Sequence, residues 1–599
     1  MEDGIELQFL LLETSEYDSS DNPYILMKGT RAKYHSVQWW HYIIGARKME
    51  QKKVEHVPEV EVLHAEEGEK LTRYHVEKYD SHKLPYTTQS ICPECLLSDD
   101  KVTVIDATLY EEDGKVMYKK SCDIHGEFID VYWGDAEMWR NAQKYWFKNV
   151  GLDNPRTETV KGCPEDCGQC PEHKSHTALA LLDVTNRCNL RCPICFAHAA
   201  EAGTVYEPTP EEVLEMMRNL RRNLPVPAPA IQFAGGEPTV SRNLPQYIKW
   251  AKELGFRHVQ IASNALRIAK SLDYTKELKQ AGLSAIYMQF DGITPEPYIE
   301  ARGMNLLPQK LQAIENCREA GLDAIVLVPT VVRGVNDDQV GDIIEFGVKN
   351  ADIVRCVNFQ PVSITGRIDY EKRKEMRITI PDVIHMIEEQ TNGKIPATEW
   401  YPVPAMMPVG RALGLMKGRP QLELSSHFAC GMSTFIYINE DGSYEPITNL
   451  IDVDKFIELL VDISNLYADG KFAASKRAKA KLAAGMRHIK RKGILRDLIN
   501  LFLNRGDYDT LAQFMRRVIM IGMMHFQDPF NFDLERVQFC DVNYSVPDGR
   551  IIPFCTMNTI HRARIEKKFS KTFDEWRAEH KPSRVEEDSI SKPYSPEQE

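Results

Sequence analysis

At 599 residues the chain is long enough for about four units of ~150 residues, although a barrel fills more than one such unit. A hydrophobic share of 43% and a charged share of 27% are those of a folded globular protein, which excludes disorder over most of the length. With 74 Lys and Arg against 87 Asp and Glu, the net charge of −13 disfavours nucleic acid as a general partner, and no apolar run reaches the ~18–20 residues that span a bilayer. The opening MEDGIELQFLLLET carries acids where a secretion signal carries Lys or Arg, so a cytoplasmic location is expected.

In chain order, residues 1–85 form an N-terminal extension without a motif, and its WWHYII run reads as a buried helix rather than an interfacial anchor. Residues 86–150 read as a small ribbon, with short strands at 101–107 and 127–132, cysteine knuckles and a hairpin turn at Asp113-Gly114. A short cysteine segment, 151–177, follows. From 178 to 375 apolar β-rich runs recur at 178–184, 230–234, 258–262, 285–290, 324–332 and 354–362. Amphipathic helical stretches separate them. Six such units predict an α/β architecture, a partial (β/α)6 barrel. Residues 376–565 are less regular and read as a C-terminal α+β domain. They contain a basic run, ten Lys and Arg without an acid over 471–496, an apolar segment at 494–503 and a Met-rich stretch at 514–526. The polar residues 566–599 read as a disordered tail.

Nine of the 14 cysteines fall between Cys92 and Cys195, in spacings that point to metal or iron–sulfur ligation rather than disulfides. Cys92 and Cys95 (CPEC) with Cys122 and His125 (CDIH) make a three-sulfur, one-nitrogen set for one zinc or iron, closed and therefore structural. Cys163, Cys167 and Cys170 form a CxxxCxxC that follows no barrel strand, and it reads as an auxiliary cluster segment, with a zinc knuckle as the alternative. Cys188, Cys192 and Cys195, in TNRCNLRCPICFA, form a second CxxxCxxC directly after the first barrel strand. Three thiolates hold three irons of a cubane and leave the fourth open to a small ligand. About forty residues later, after the second strand, stands AGGEPT. Its Gly235 and Gly236 admit close backbone approach, and the Glu237 carboxylate is an acceptor for an ammonium group. Both motifs fall where strand C-termini open, the usual place for an α/β barrel active site.

These motifs resemble the radical S-adenosylmethionine (SAM) superfamily. The resemblance implies that Cys188, Cys192 and Cys195 carry a [4Fe–4S] cluster whose open iron chelates SAM, with Gly235, Gly236 and Glu237 steadying the amino group. Reductive cleavage of SAM then supplies a 5′-deoxyadenosyl radical. By their places at strand ends, Ser263 and Asn264 are candidates for the SAM ribose, Gln289 and Asp291 for further cofactor contacts, and Phe196 for the adenine. Asn358, Gln360 and Thr365 end the sixth strand. Cys430, Cys540 and Cys555 return from the C-terminal region either to complete the Cys163 group or to build another cluster. Cys356 is a further candidate, and Cys317 reads as a core residue.

The stretches LDVTNRCNLRCPICFA, APAIQFAGGEPTV, QFDGITPEPY, LVPTVVRGVNDDQVGDII, NFQPVSITGR and PDGRIIPFC are similar to one archaeal group within the superfamily. That group holds the tetraether lipid synthase and proteins named as pterin methyltransferases. The resemblance implies an enzyme that joins terminal methyl carbons of isoprenoid chains in archaeal diether lipids. It also implies a long-chain lipid substrate, a low-potential electron donor, one or two auxiliary clusters and a monomer. A tunnel lined by Met520, Met523 and Met524 and a basic face at 476–496 fit that reading, with peripheral contact at the inner face of the membrane. The runner-up is methylation or alkylation of a pterin-like ring, and an iron–sulfur electron carrier is the non-enzymatic alternative.

Overall fold

The computed structural model describes residues 75–197, 199, 203–322, 324–368, 370–470, 474–485 and 517–580. The aromatic run at 39–44 and the apolar segment at 494–503 lie outside them. The ribbon is an antiparallel meander of β1 (Tyr86–Ile91), β2 (Val104–Glu112), β3 (Lys115–Cys122) and β4 (Gly126–Trp133). Asp113 and Gly114, at φ 49° and 72°, supply the left-handed pair that a two-residue hairpin between β2 and β3 requires. Alternate residues of β3 point inward, so Val116 and Tyr118 join Trp133, Trp139 and Trp146 in the core. Polar ties fix the ribbon to the 527–533 loop. Buried Lys120 donates to Ser90 Oγ, Ile91 O and Pro529 O at 2.7–3.1 Å, and Asp533 accepts from Thr88 and Tyr132 hydroxyls at 2.9 and 2.8 Å.

The barrel strands are β5 (Leu179–Thr185), β7 (Ala230–Gly235), β8 (His258–Ser263), β9 (Ala285–Gln289), β10 (Ile325–Val328) and β12 (Val354–Pro361). The short β6 (Thr204–Tyr206) and β11 (Thr330–Val331) lie among them in the chain. All six barrel strands are parallel neighbours in chain order, buried on both faces by the lumen and by the connecting helices. They match the six expected runs closely.

The C-terminal region departs from expectation. It contributes β13 (Tyr401–Pro402), β14 (Gly431–Ile438), β15 (Tyr444–Pro446), β16 (Val518–Met524), β17 (Val542–Ser545) and β18 (Ile551–Pro553) to the same sheet. β16 pairs in parallel with β12, and β17 pairs in parallel with β5. Eight consecutive parallel strands result, in the order β17-β5-β7-β8-β9-β10-β12-β16, with β14 and β18 antiparallel at the two ends. The open edges of a six-stranded sheet carry unpaired N–H and C=O groups, and these late strands satisfy them. The described strands of this region therefore belong to the barrel sheet, while its helices Met407–Lys417, Val453–Ala468 and Ala474–Gly485 pack in a cluster of their own.

Residues 566–580 are also ordered, in contrast to the tail expected there, and 581–599 lie outside the described residues. Helix Arg562–Phe569 runs through residue 566, β19 (Ser570–Thr572) pairs with β6, and helix Phe573–His580 buries Trp576 under the Arg187 guanidinium at 4.7 Å. In the basic stretch, helix Ala474–Gly485 seats Ala478 and Leu482 against helix Val453–Ala468 and leaves Lys476, Arg477, Lys479 and Lys481 exposed. Among the described residues no helix is long and apolar enough to cross a membrane.

Candidate active site

The Cys188–Cys192–Cys195 loop leaves the end of β5 and is held by the AGGEPT turn at the end of β7. Gly236 N and Glu237 N donate to Thr185 O and Arg187 O at 2.8 and 2.9 Å. A Cβ on Gly235 would stand 2.1 Å from Thr185 O, and one on Gly236 2.2 Å from Arg187 O. Both glycines are thus required by the loop's own backbone. The Glu237 carboxylate, 1% exposed, is also engaged within the protein. It accepts from Thr239 N (3.1 Å), Thr239 Oγ1 (2.6 Å), Ser263 Oγ (2.7 Å) and Asn264 N (2.7 Å). Burial raises its pKa and these donors oppose the rise. Glu237 clamps the ends of β7 and β8 together and borders the cavity, with Oε2 accepting only from Asn264 N among the described residues. Ser263 and Asn264 serve the same clamp, and Asn264 Nδ2 reaches Asn189 Oδ1 of the Cys loop at 2.7 Å.

Three cations that the sequence did not single out complete the frame. Arg302 pairs with Asp291 (Nη2–Oδ1 2.6 Å, Nε–Oδ2 2.8 Å) and donates to Ile194 O at 2.8 Å. Burial pushes the Asp291 carboxyl up, but Arg302 outweighs it and holds the pKa below the usual carboxylate range. Lys310 Nζ donates to Asn264 O (2.6 Å) and Gln289 Oε1 (3.1 Å), and burial brings its pKa down to about 8. Arg367 donates to Cys192 O, Ala199 O and Cys195 O at 2.8–2.9 Å, through its guanidinium and its backbone N–H. Asp291 and Gln289 are therefore bound to these cations and to each other. Burial pushes the Cys188 and Cys192 thiols up, while Arg302 and Lys310 pull Cys192 back. One buried and two half-buried thiols wrapped in backbone, with cationic charge beside them, fit an anionic iron–sulfur cluster. The one polarity cue in the sequence was the Gly-Arg pair closing NFQPVSITGR.

A cavity of about 440 Å³ opens at this loop and descends into the barrel lumen. Phe196, 40% exposed, borders it and tilts over Phe554 at 5.8 Å. Thr365 Oγ1 lines it buried and without a hydrogen-bond partner. Asn358 and Gln360 both donate to the Tyr287 hydroxyl, the latter at 2.7 Å. Further down, Gln260 bridges His258 Nε2 (2.8 Å) and Gln232 Oε1 (2.5 Å). Met520, Met523 and Met524 border the cavity as expected, but Met523 is packed chiefly in the main core. Cys356 packs in the lumen with Val326, Val328 and Met520, away from the other late cysteines, and Cys317 is a core residue.

The remaining cysteines form three sets. In the ribbon, Cys92 Sγ, Cys95 Sγ and Cys122 Sγ lie 3.5, 3.4 and 3.8 Å from His125 Nδ1, and Cys95 Sγ lies 3.9 Å from Cys122 Sγ. Tetrahedral zinc with bonds of about 2.3 Å to sulfur and about 2.0 Å to nitrogen separates its ligands by nearly these amounts. N–H groups of Ile124 and His125 pull the Cys122 thiol down, toward the thiolate a metal needs. Cys163 is pushed up by burial and then by its neighbours Cys167 and Cys170, so these three stand together. Cys167 Sγ meets Thr556 Oγ1 at 3.1 Å. Cys430, Cys540 and Cys555 act on one another and on Arg536 as a separate set. Neither triad, nor the Cys188 loop, has its sulfurs within 4.8 Å of one another, as a single ion would require. His82, His427 and Glu535 do approach that closely, with Glu535 Oε2 3.0 and 3.8 Å from the two Nε2 atoms. His427 Nδ1, however, accepts from Ala429 N, which leaves a proton on Nε2 and makes it a donor rather than a ligand.

The fold and this loop define a radical SAM enzyme, and the sequence model of the Radical SAM superfamily matches residues 182–347. The superfamily brings SAM and a [4Fe–4S] cluster as its cofactors. A second model, the HMPTM N-terminal zinc ribbon domain, matches residues 84–134. The chain is 49% identical over 504 residues to the 7,8-dihydro-6-hydroxymethylpterin dimethyltransferase of Methanocaldococcus jannaschii, covering 82% of this chain and 97% of that protein, and it belongs to that protein's family. The GTP 3′,8-cyclase of Alkaliphilus oremlandii is 25% identical over 273 residues, 44% of this chain and 79% of that enzyme. Among solved structures, Streptococcus suis SuiB bound to S-adenosylmethionine matches with 15% identity and a TM-score of 0.29, over 37% of this chain and 45% of that one.

Proposed function

We propose that this protein is a radical SAM methyltransferase that forms carbon–carbon bonds on a reduced pterin or a closely similar heterocycle. The observation that carries the reading is the polar floor of the lumen: Gln232, Gln260, His258 and Asp541 share one small-molecule-sized cavity with the Cys188 loop. Near full-length likeness to a protein named for pterin dimethylation supports the same substrate class. In this reading Cys188, Cys192 and Cys195 hold the cluster, which, once reduced by a low-potential donor, supplies a primary carbon radical from SAM. Glu237, Arg302, Lys310 and Arg367 keep the loop's shape, and Phe196 with Phe554 walls the cavity against water. The Cys163 and Cys430 triads hold auxiliary clusters, and the ribbon quartet holds a structural zinc.

A second reading, the coupling of lipid methyl carbons, is favoured by one feature: the apolar wall that Met406, Met432, Met520 and Met524 give the cavity. The exposed cationic face of helix Ala474–Gly485 suits a headgroup surface in that case. The test is anaerobic incubation of the reconstituted, reduced protein with SAM and either 6-hydroxymethyl-7,8-dihydropterin with a one-carbon donor or an archaeal diether phospholipid. 5′-Deoxyadenosine together with a pterin heavier by methyl units is the expected result. Deoxyadenosine with a pterin of unchanged mass, and a lipid lighter by two hydrogens per new bond, would replace the first reading with the second.

A further inference from the structure

The cavity runs from the Cys188 loop, at the C-terminal ends of the strands, to their N-terminal ends, where Leu179 and His258 begin β5 and β8. Two buried atoms at that far end have no hydrogen-bond partner, Asp541 Oδ2 and His258 Nδ1. Asp541 immediately precedes β17. Its carbonyl accepts from Ala178 N and Leu179 N at 2.7 and 3.2 Å, so the β17–β5 pairing fixes its position. The side chain is 4% exposed and is met by the backbone N–H groups of Ser425 and Ser426, and no basic side chain pairs with it among the described residues. A buried carboxylate oxygen left open in this way is rare in folded proteins and calls for a reason.

The orientation of the neighbouring groups narrows the reason. Gln260 Oε1 takes the proton of His258 Nε2, so His258 Nδ1 presents a lone pair. Asp541 presents another acceptor. Gln260 Nε2 is spent on Gln232 Oε1, which leaves the Gln232 amide N–H groups as donors on the same wall. Cys430, Cys540 and Cys555 do not line the cavity, whereas Asp541 does, and its carboxylate stands between the lumen wall and that triad, acting on Cys430 and Cys540. The floor therefore offers an anionic acceptor, a neutral acceptor and an amide. Such a set matches a ring that carries an N–H beside an exocyclic amine on one edge and a carbonyl next to it.

We propose that Asp541 is the substrate-recognition residue of this cavity, accepting hydrogen bonds from the ring N–H and exocyclic amine of a 2-amino-4-oxo heterocycle while Gln232 and His258 read its other polar atoms. The inference rests on the heterocycle reading above and goes further, to the edge of the ring that is read and the residue that reads it. It also sets the polarity of binding: the amidine edge lies at the floor, and the opposite ring with its substituents points up toward the Cys188 loop.

The test is equilibrium binding to the anaerobically reconstituted full chain, read by pterin fluorescence, with 6-hydroxymethylpterin and its 2-oxo counterpart 6-hydroxymethyllumazine. The lumazine sets a carbonyl against the carboxylate, so the native protein should prefer the pterin by a factor on the order of 100 or more. Asp541→Asn should collapse that ratio toward one with iron content and cluster spectra unchanged. The native protein alone also decides the matter, so a variant that fails to fold leaves the inference testable. Equal binding of both compounds to native protein would overturn it while leaving a pterin-type substrate in place. An undiminished ratio in Asp541→Asn, or loss of iron from that variant, would also overturn it, the latter by making Asp541 a cluster ligand. A native protein that binds neither compound but converts diether lipid would remove the heterocycle reading itself.

Discussion

The ribbon quartet and the barrel triad use the same thiol chemistry and are built on opposite terms. In the ribbon, two knuckles each bring ligands three residues apart, and the four donor atoms already stand at tetrahedral spacing, 3.4–3.9 Å for the measured pairs. The knuckle backbones hold them there, Cys95 N donating to Cys92 Sγ at 3.4 Å and the N–H groups of Ile124 and His125 meeting Cys122. In the barrel, the three thiols are spread more widely, and their loop is fixed by Glu237, Arg302, Lys310 and Arg367, contributed after three different strands, β7, β9 and β12. A closed site lets the ion supply the local stability. An open site must take its stability from the scaffold, so that one coordination position remains free for a ligand.

Substitutions on the two sides of this contrast should therefore separate cleanly. Cys192→Ala should lower SAM cleavage by on the order of 10³-fold or more, because the radical chemistry resides in the cofactor and not in any side chain. Its ribbon metal and unfolding midpoint should stay near native, as shown by metal analysis and denaturant titration under argon. Cys122→Ala should do the reverse. It should cost several kcal/mol of stability through loss of the ribbon metal, while deoxyadenosine formed per folded molecule stays within a few-fold of native. A Cys122→Ala protein of native stability would mean that the ribbon stands without its ion.

The scaffold side can be probed without touching a thiol. Asp291 is 0% exposed and Arg302 9% exposed, so Asp291→Ala leaves a buried guanidinium unpaired and should cost about 3–5 kcal/mol. The loss should appear in urea titration and also as poorer retention of the barrel cluster, since Arg302 holds Ile194 O. Unchanged cluster retention would show that the loop keeps its shape without this pair.

The contrast also marks what could be read in advance. The ribbon ligands and the Cys188 loop were legible because their spacing is local, and the six barrel strands because their apolar runs recur between helical stretches. The scaffold was not. Val518–Met524 is an apolar run with no clear period, and its partner β12 lies more than 150 residues earlier, so its place as a barrel strand depends on a non-local edge. Arg302 and Lys310 look like ordinary surface residues of helices, at the last and an early turn, until their burial against Asp291 and Gln289 is seen. Glu237 was identified as important, and the fold adds a second role, a clamp built with Thr239, Ser263 and Asn264 that only the assembled strands reveal. The lipid partner was implied by the resemblance, and the basic, Met-rich C-terminal composition fitted it; composition does not reveal that two strands of that region extend the barrel sheet at both edges around a partly polar lumen.

The smallest effect expected comes from two aspartates five residues apart on the loop that joins ribbon to barrel. Asp528 is fully buried against Arg377 (2.6 and 3.1 Å) and accepts from Ile364 N. Burial raises its pKa, but Arg377 wins and the net shift is downward. Asp533 is buried among the hydroxyls of Thr88 and Tyr132 with Glu535 nearby. Burial and that like charge leave its pKa raised. The signs of linkage are therefore opposite. Asp528 contributes stability that is fully present above its unfolded pKa of 3.8 and is lost as pH falls through its lower folded value. Asp533 favours the folded state when protonated, so its contribution is present below 3.8 and is lost as pH rises through its higher folded value. Each unit of pKa shift corresponds to about 1.4 kcal/mol. Urea titrations between pH 7 and pH 4 should show Asp533→Asn becoming progressively more stabilising, relative to native, toward pH 7. Asp528→Asn should be destabilising throughout that range, because the intact ion pair persists well below the pH at which a free carboxylate is neutralised. If Asp528→Asn matched native stability at pH 7, the Arg377 pair would not be what joins the ribbon, β12 and the late strands.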